Sequence, residues 1–143
     1  MKKYLWLVVV ASAAVASCGL FKKPILMDGV IDEKVRMDEA DNPAKKLMIK
    51  EELGGRRIQL FDLTVKEVTE STNIDYDFCV IADVQTKKGA VECHIYSSNV
   101  KTVSRLVKGK SKIDVTGEFG RFFTLLDNYY TRLEIVKASI TIK

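Results

Sequence analysis

One His and three Cys among 143 residues leave little material for metal or relay chemistry. No C-x-x-C pair occurs, so the spacing offers no zinc knuckle. A single imidazole is a poor basis for a catalytic relay. Three Cys are also too few for a disulfide scaffold. Only two Pro and eight Gly occur, which excludes collagenous and Pro/Gly-rich low-complexity chains. What is present is 47% hydrophobic and 29% charged, the composition of one globular domain.

The first segment reads as an address. Residues 1–17 are MKKYLWLVVVASAAVAS, with Lys2 and Lys3 as a basic start. The uncharged run Leu5–Ser17 is 13 residues, short of the roughly 20 that a spanning helix needs. It therefore reads as a secretory signal. Val15-Ala16-Ser17-Cys18 follows, small residues before a Cys. This resembles the lipobox of bacterial lipoproteins, and the resemblance implies acylation of Cys18 after cleavage. The alternative is an ordinary signal peptide with a chance Cys. Gly19, where an Asp commonly retains lipoproteins at the inner membrane, implies outer-membrane placement in a Gram-negative cell. More than one acyl chain gives stable attachment. Removing Lys2 and Lys3 leaves 21 basic and 19 acidic residues, about +2, so the mature chain is no electrostatic trap for nucleic acid.

Residues 18–41 are mixed and weakly periodic, and read as a tether with a short helix in Asp32–Glu39. Asn42 is a good N-cap and Pro43 suits the first helical position. Ala44, Leu47 and Met48 share one helical face, and Gly54-Gly55 stop the helix, so it spans 43–53. From Arg57 the period becomes two. A bent strand over 57–69 is followed by a turn at 70–75. A strand over 76–84 places Phe78, Val80, Ala82 and Val84 on one face. A hairpin turn at 86–89 leads to a third strand with Val91, Cys93 and Ile95 inward. Ser97 or Ser98 can cap a helix striped by Val100, Val103, Leu106 and Val107. A fourth strand covers 111–119 and a fifth 131–142. In the fifth, Leu133 and Ile135 have one parity and Ala138, Ile140 and Ile142 the other, so a β-bulge near Val136-Lys137 is expected.

The order is a short helix and then β-β-β-α-β-β. That predicts a mainly β protein, a five-stranded OB-fold barrel over residues 42–143, with the internal helix plugging one end. Asn42-Pro43-Ala44-Lys45-Lys46, Leu53-Gly54-Gly55-Arg56-Arg57-Ile58-Gln59-Leu60 and Val65-Lys66-Glu67-Val68 follow one another here. Val91-Glu92-Cys93-His94-Ile95, Leu106-Val107-Lys108-Gly109-Lys110 and Leu133-Glu134-Ile135 come later. Together they resemble the bacterial tRNA-anti-like OB-fold proteins, over about residues 42–142. The resemblance implies the fold and an extracytoplasmic setting, not tRNA binding. Family members often place a Cys in the last strand; Ala138 stands there, so Cys93 has no such partner.

The densest chemistry is FGRFFTLLDNYYTR, residues 119–132, the connection between the last two strands. OB-folds use that loop for ligands. Arg121, Phe122, Tyr129, Tyr130 and Arg132 are the candidate ligand-binding residues, since rings stack on bases, sugars or partner side chains. The bland alternative is that the rings close the barrel. Cys79 and Cys93 are expected on opposite faces of adjacent strands and hence as free thiols; a register change of one residue would reunite them. His94 is expected outward beside Glu92 and Tyr96. Asp75 and Asp77 lack the glycine-bent loop of a cation site. No metal, cofactor or catalytic residue is expected. The chain reads as a lipid-anchored cell-envelope binding module for a protein or an oligosaccharide; the alternative is an exported single-stranded nucleic-acid-binding protein.

Overall fold

A computed structural model describes residues 23–123 and 131–143. Eight elements follow in order: α1 (Met27–Glu39), α2 (Pro43–Leu53), β1 (Arg57–Glu70), β2 (Phe78–Thr86), β3 (Gly89–Ser97), α3 (Val100–Val103), β4 (Lys112–Phe122) and β5 (Thr131–Ile142). The strands close into a barrel in the order β1-β2-β3-β5-β4. Four of the five pairings are antiparallel; β3 and β5 pair in parallel. This is a mainly β, OB-fold-like barrel with helix before it.

The alternation of the sequence becomes the barrel wall. Ile58, Leu60, Leu63 and Val65 of β1, Val80 and Ala82 of β2, and Val91, Cys93 and Ile95 of β3 all point into the core. Ile113, Val115 and Phe119 of β4 and Leu133 and Ile135 of β5 complete it. The expected bend in β1 is an irregularity between Leu60 and Leu63, where Asp62 has φ 57° and its N–H donates to Asp114 Oδ1 at 2.8 Å. The expected bulge in β5 is present: Lys137 has φ 49° and the β4–β5 register shifts between Thr116 and Glu118. The bulge changes parity, so that Ala138, Ile140 and Ile142 also pack against the core.

Residues 18–41 were expected as a tether, and the described part is not one. Ile25 forms a parallel bridge with Ile58, with its N–H on Arg57 O at 2.8 Å. The helix then starts at Met27 rather than Asp32, and Met27, Val30 and Ile31 are buried in the barrel core. That i, i+3, i+4 triad is short and set among acids, so it is faint as a periodicity, yet burial contributes roughly 1.5–3 kcal/mol per large apolar side chain. Asp28 Oδ1 accepts from Lys87 N–H at 2.9 Å, and Asp32 meets the Lys88 ammonium at 3.3 Å, which ties α1 to the β2–β3 hairpin.

α2 has the expected bounds and cap, with Asn42 Oδ1 accepting from Ala44 N–H at 2.8 Å. Its buried face differs from the expected one. Ile49 and Leu53 are buried, whereas Ala44, Leu47 and Met48 are exposed. α3 is shorter than its stripe suggested. Asn99, not Ser97 or Ser98, caps it by accepting from Thr102 N–H at 3.1 Å. Val103 is buried and Leu106 partly so, but Val100 and Val107 face solvent. Thus α3 plugs the barrel at the end where β3 leaves, and α1 covers the opposite end beside the hairpin.

Gly117 lets β5 approach β4. A Cβ there would stand 2.5 Å from Ile135 Cγ2 and 2.9 Å from Val136 O. Gly117→Ala should therefore destabilise the fold by about 1–3 kcal/mol, read as a lowered denaturation midpoint with an unchanged m-value. Stability equal to the parent protein would show that β5 gives way easily.

Candidate functional site

Register decides which side chains meet on the outside of the barrel. Glu92 lies between Asp83 on β2 and Arg132 on β5, and His94 lies between Ile81 and Glu134. Opposite charges facing each other across neighbouring strands stabilise a sheet modestly. Here they form a continuous net. Lys66 Nζ on β1 is 3.0 Å from Glu92 Oε2 and 3.4 Å from Asp83 Oδ2. His94 Nε2 donates to Glu92 Oε1 at 2.8 Å. Arg132 Nε lies 3.0 Å from that same oxygen but off the N–H axis, so this is an ion contact and not a hydrogen bond.

One step along, Glu134 is only 5% exposed. A buried carboxylate needs partners, and Arg121 supplies two: Nε to Oε2 at 3.1 Å, and its NH2 nitrogen to Oε1 at 3.1 Å. Such a two-pronged contact is the guanidinium's strong geometry. The Tyr96 hydroxyl donates to Glu134 Oε1 at 3.3 Å. Tyr96 in turn packs on Tyr76, with ring centroids 5.8 Å apart, and the Tyr76 hydroxyl accepts from Lys137 N–H at 2.9 Å. Phe123 roofs the centre: its ring lies 4.9 Å from that of His94 and 5.5 Å from the Arg121 guanidinium carbon.

Of the expected ligand residues, Arg121 and Arg132 stand on this face. Phe122 turns inward instead, packing on Phe119 at 4.8 Å under the Lys34 ammonium, which is 5.9 Å from the ring centroid. It closes the barrel, and the neighbouring Phe123 takes the outward place. Tyr129, Tyr130 and Cys18 lie outside the described residues. His94 does share a face with Glu92 and Tyr96; Tyr96 at its far end is fully buried against Tyr76, while Arg121 and Arg132 remain exposed. Glu92, Glu134, Lys66 and Phe123 were not expected at a site. Strand parity puts 92, 94, 132 and 134 outward; only the parallel β3–β5 register brings them together.

A second concavity runs beside β1. β1 and β2 pair only from Val65 and Ala82 onward. Before that point they splay around an open groove of about 600 Å³ lined by Phe61, Leu63, Lys66, Asp83, Val84 and Lys108.

Burial alone would push the Glu92 carboxyl up; the His94 and Lys66 hydrogen bonds and the Arg132 charge outweigh it and hold it below the ordinary 4.5. Burial pushes the Cys79 thiol up to about 11 and the Cys93 thiol higher still. Both are free, on opposite faces of the wall as expected. Among the described residues, no group of three or more His, Cys, Asp or Glu could hold a metal ion. Comparison of the chain with protein-family models and with curated proteins finds no match.

Two measurements follow from these groups. Because the Glu92 carboxyl is lowered by folding, its stabilising effect is complete above the unfolded value and is lost as pH falls through the folded one. The stability gap between the parent protein and Glu92→Gln should thus be constant above about pH 5 and close in more acidic solution. A gap that widens on acidification would contradict the net. Cys79 and Cys93 should resist a thiol reagent in the folded protein and react on unfolding; a linked Cys79–Cys93 peptide in non-reduced protein would overturn the register.

Proposed function

We propose that this chain is a lipid-anchored binding module of the cell envelope, attached through Cys18 and recognising a protein or an oligosaccharide on the outer β3–β5 face. The observation that carries the ligand class is the state of the cations on that face. Lys66, Arg121 and Arg132 are each already held by Asp83, Glu92 or Glu134. A nucleic-acid ligand draws its affinity from basic side chains that neutralise phosphates and release counterions. Here those side chains are neutralised from within. The face instead offers an exposed guanidinium lying over an aromatic ring, Arg121 over Phe123, above a satisfied polar floor. Arg and aromatic side chains are the common anchors of protein interfaces, and rings of this kind also stack on sugar faces.

Binding rather than turnover fits the same chemistry. The thiols are raised by burial away from the thiolate form. His94 is committed to Glu92 and Phe123. The strand order and the internal helix support the likeness to tRNA-anti-like OB-fold lipoproteins, and the Val15–Cys18 box supports the anchor and the envelope setting.

The test is capture from envelope extract by the acylated protein. Arg121→Ala together with Phe123→Ala should reduce capture by a hot-spot amount, about 2 kcal/mol or roughly 30-fold. Lys101→Ala, remote from the face, should leave it unchanged. Undiminished capture by the double variant removes this surface from consideration. Binding of single-stranded oligonucleotide that falls steeply with salt would replace the reading with the nucleic-acid one.

A further inference from the structure

Between β1 and β2 the ladder covers only part of each strand. On the β2 side of β1 it starts at Val65, which pairs with Ala82. The beginning of that edge is taken by Ile25, whose N–H donates to Arg57 O at 2.8 Å and whose carbonyl accepts from Gln59 N–H at 3.3 Å. Phe61–Thr64 lie between these two contacts with no strand beside them. Across the gap, Asp83–Thr86 of β2 pair with β3 alone. Two strand edges therefore face the groove of about 600 Å³. A hollow of about 200 Å³ continues it under the first turn of α1, lined by Leu26, Phe61 and Val84 among others. Unpaired main-chain N–H and C=O groups on such an edge are a template for another chain.

The gap is fixed at both ends. At one, α1 clasps the β2–β3 hairpin, with Asp28 Oδ1 accepting from Lys87 N–H at 2.9 Å and Asp32 meeting Lys88 at 3.3 Å. At the other, Gly109 N–H donates to Val65 O at 2.7 Å, and Lys66 Nζ stands 3.4 Å from Asp83 Oδ2. Two large apolar side chains line it while exposed, Leu26 at 58% and Phe61 at 57%. Of the charged residues around it, Asp62 meets Lys143, and Lys66 and Asp83 meet each other. Among the described residues Lys108 meets no carboxylate.

We propose that this groove takes an extended segment of a partner protein, added as a strand to the free Phe61–Thr64 edge of β1. Its alternate apolar side chains rest on Phe61 and Leu26, and an acidic residue lies at the Lys108 end. Strand addition draws affinity from main-chain hydrogen bonds and specificity from pockets for alternate side chains, and the groove offers both. An oligosaccharide or an acyl chain would fill the volume without pairing with the edge. The edge already accepts one added segment of the same kind, Ile25, and the new strand continues along it. β2 walls the groove and α1 covers one end, so a single extended segment enters where the edge of a folded sheet does not. The site is separate from the Arg121–Phe123 pair and does not depend on the lipid anchor.

The experiment selects a random peptide library, displayed on phage, against the full chain held in lipid nanodiscs. Enriched peptides should alternate apolar and polar residues and carry an acid towards one end. Their synthetic forms should slow amide exchange at Phe61 and Thr64. Phe61→Ser should weaken them on the order of tenfold or more; the side chain is exposed, so the denaturation midpoint should stay at the parent value. Val100→Ser, on α3, should leave binding unchanged. Methylating the peptide's backbone nitrogens one at a time should find positions with a loss of similar size. Selection against Lys108→Glu should replace the acid by a base. No enriched peptide, or peptides indifferent to both Phe61→Ser and N-methylation, overturns the strand site and leaves the β3–β5 reading untouched. Peptides lost in Arg121→Ala but not in Phe61→Ser place the binding on that other face and overturn the groove. Self-association of the chain that Phe61→Ser abolishes overturns the peptide as occupant in favour of a second copy.

Discussion

The parallel ladder between β3 and β5, from Val91 and Thr131 to Ile95 and Ile135, closes the barrel. Without it the sheet would end in two open edges. With it, Cys93, Ile95, Leu133 and Ile135 are sealed inside, and Glu92 is set against Arg132 and His94 against Glu134 outside. The same few backbone pairings therefore make the core and the polar net. β5 can serve both neighbours because of two local features. Gly117 lets it press against β4, and the bulge at Lys137 turns the strand so that residues beyond it again face inward.

The net is a consequence of that closure. Glu134 is buried by strand packing and would be costly alone. Arg121 and Tyr96 satisfy it, and in doing so they fix the position of Phe123 through the guanidinium above it. Rigid support of this kind favours recognition, because little conformational freedom is left to lose when a partner arrives. It also divides the molecule's charges into two kinds. Cations on the β3–β5 face are compensated within the protein, whereas among the described residues Lys45, Lys46 and Lys50 of α2 form no ion pair and share their helix with the exposed acids Glu51 and Glu52.

Much of the barrel was legible in the sequence because alternation and turn chemistry are local signals. The hairpin at 86–89, the inward run Val91, Cys93, Ile95 and the parity change in β5 each leave a mark within a dozen residues. The α1 segment did not, because three buried residues among acids carry too short a period to stand out. The face of α2 was misjudged for a related reason. Both of its sides are apolar, and periodicity cannot say which one the barrel will bury. At the site, Arg121 and Arg132 were found from their place beside the β4–β5 connection. Phe122 and Phe123 could not be told apart, since adjacent strand residues point to opposite faces and only the register settles which. Glu92, Glu134 and Lys66 were hidden because their meeting depends on pairings between β1, β3 and β5, far apart in the chain.

The geometry links the polar net to the helical end of the barrel. β4 ends and β5 begins at the barrel end covered by α1, since Phe122 packs under Lys34 and Thr131 pairs with Val91 beside the β2–β3 hairpin. Arg121, Phe123 and Arg132 are therefore at the end where α1 and α2 lie, opposite α3. Phe122 and Phe123 are adjacent there and face opposite ways, so the contact that closes the core beside α1 also fixes the ring that lies over His94 on the outer face.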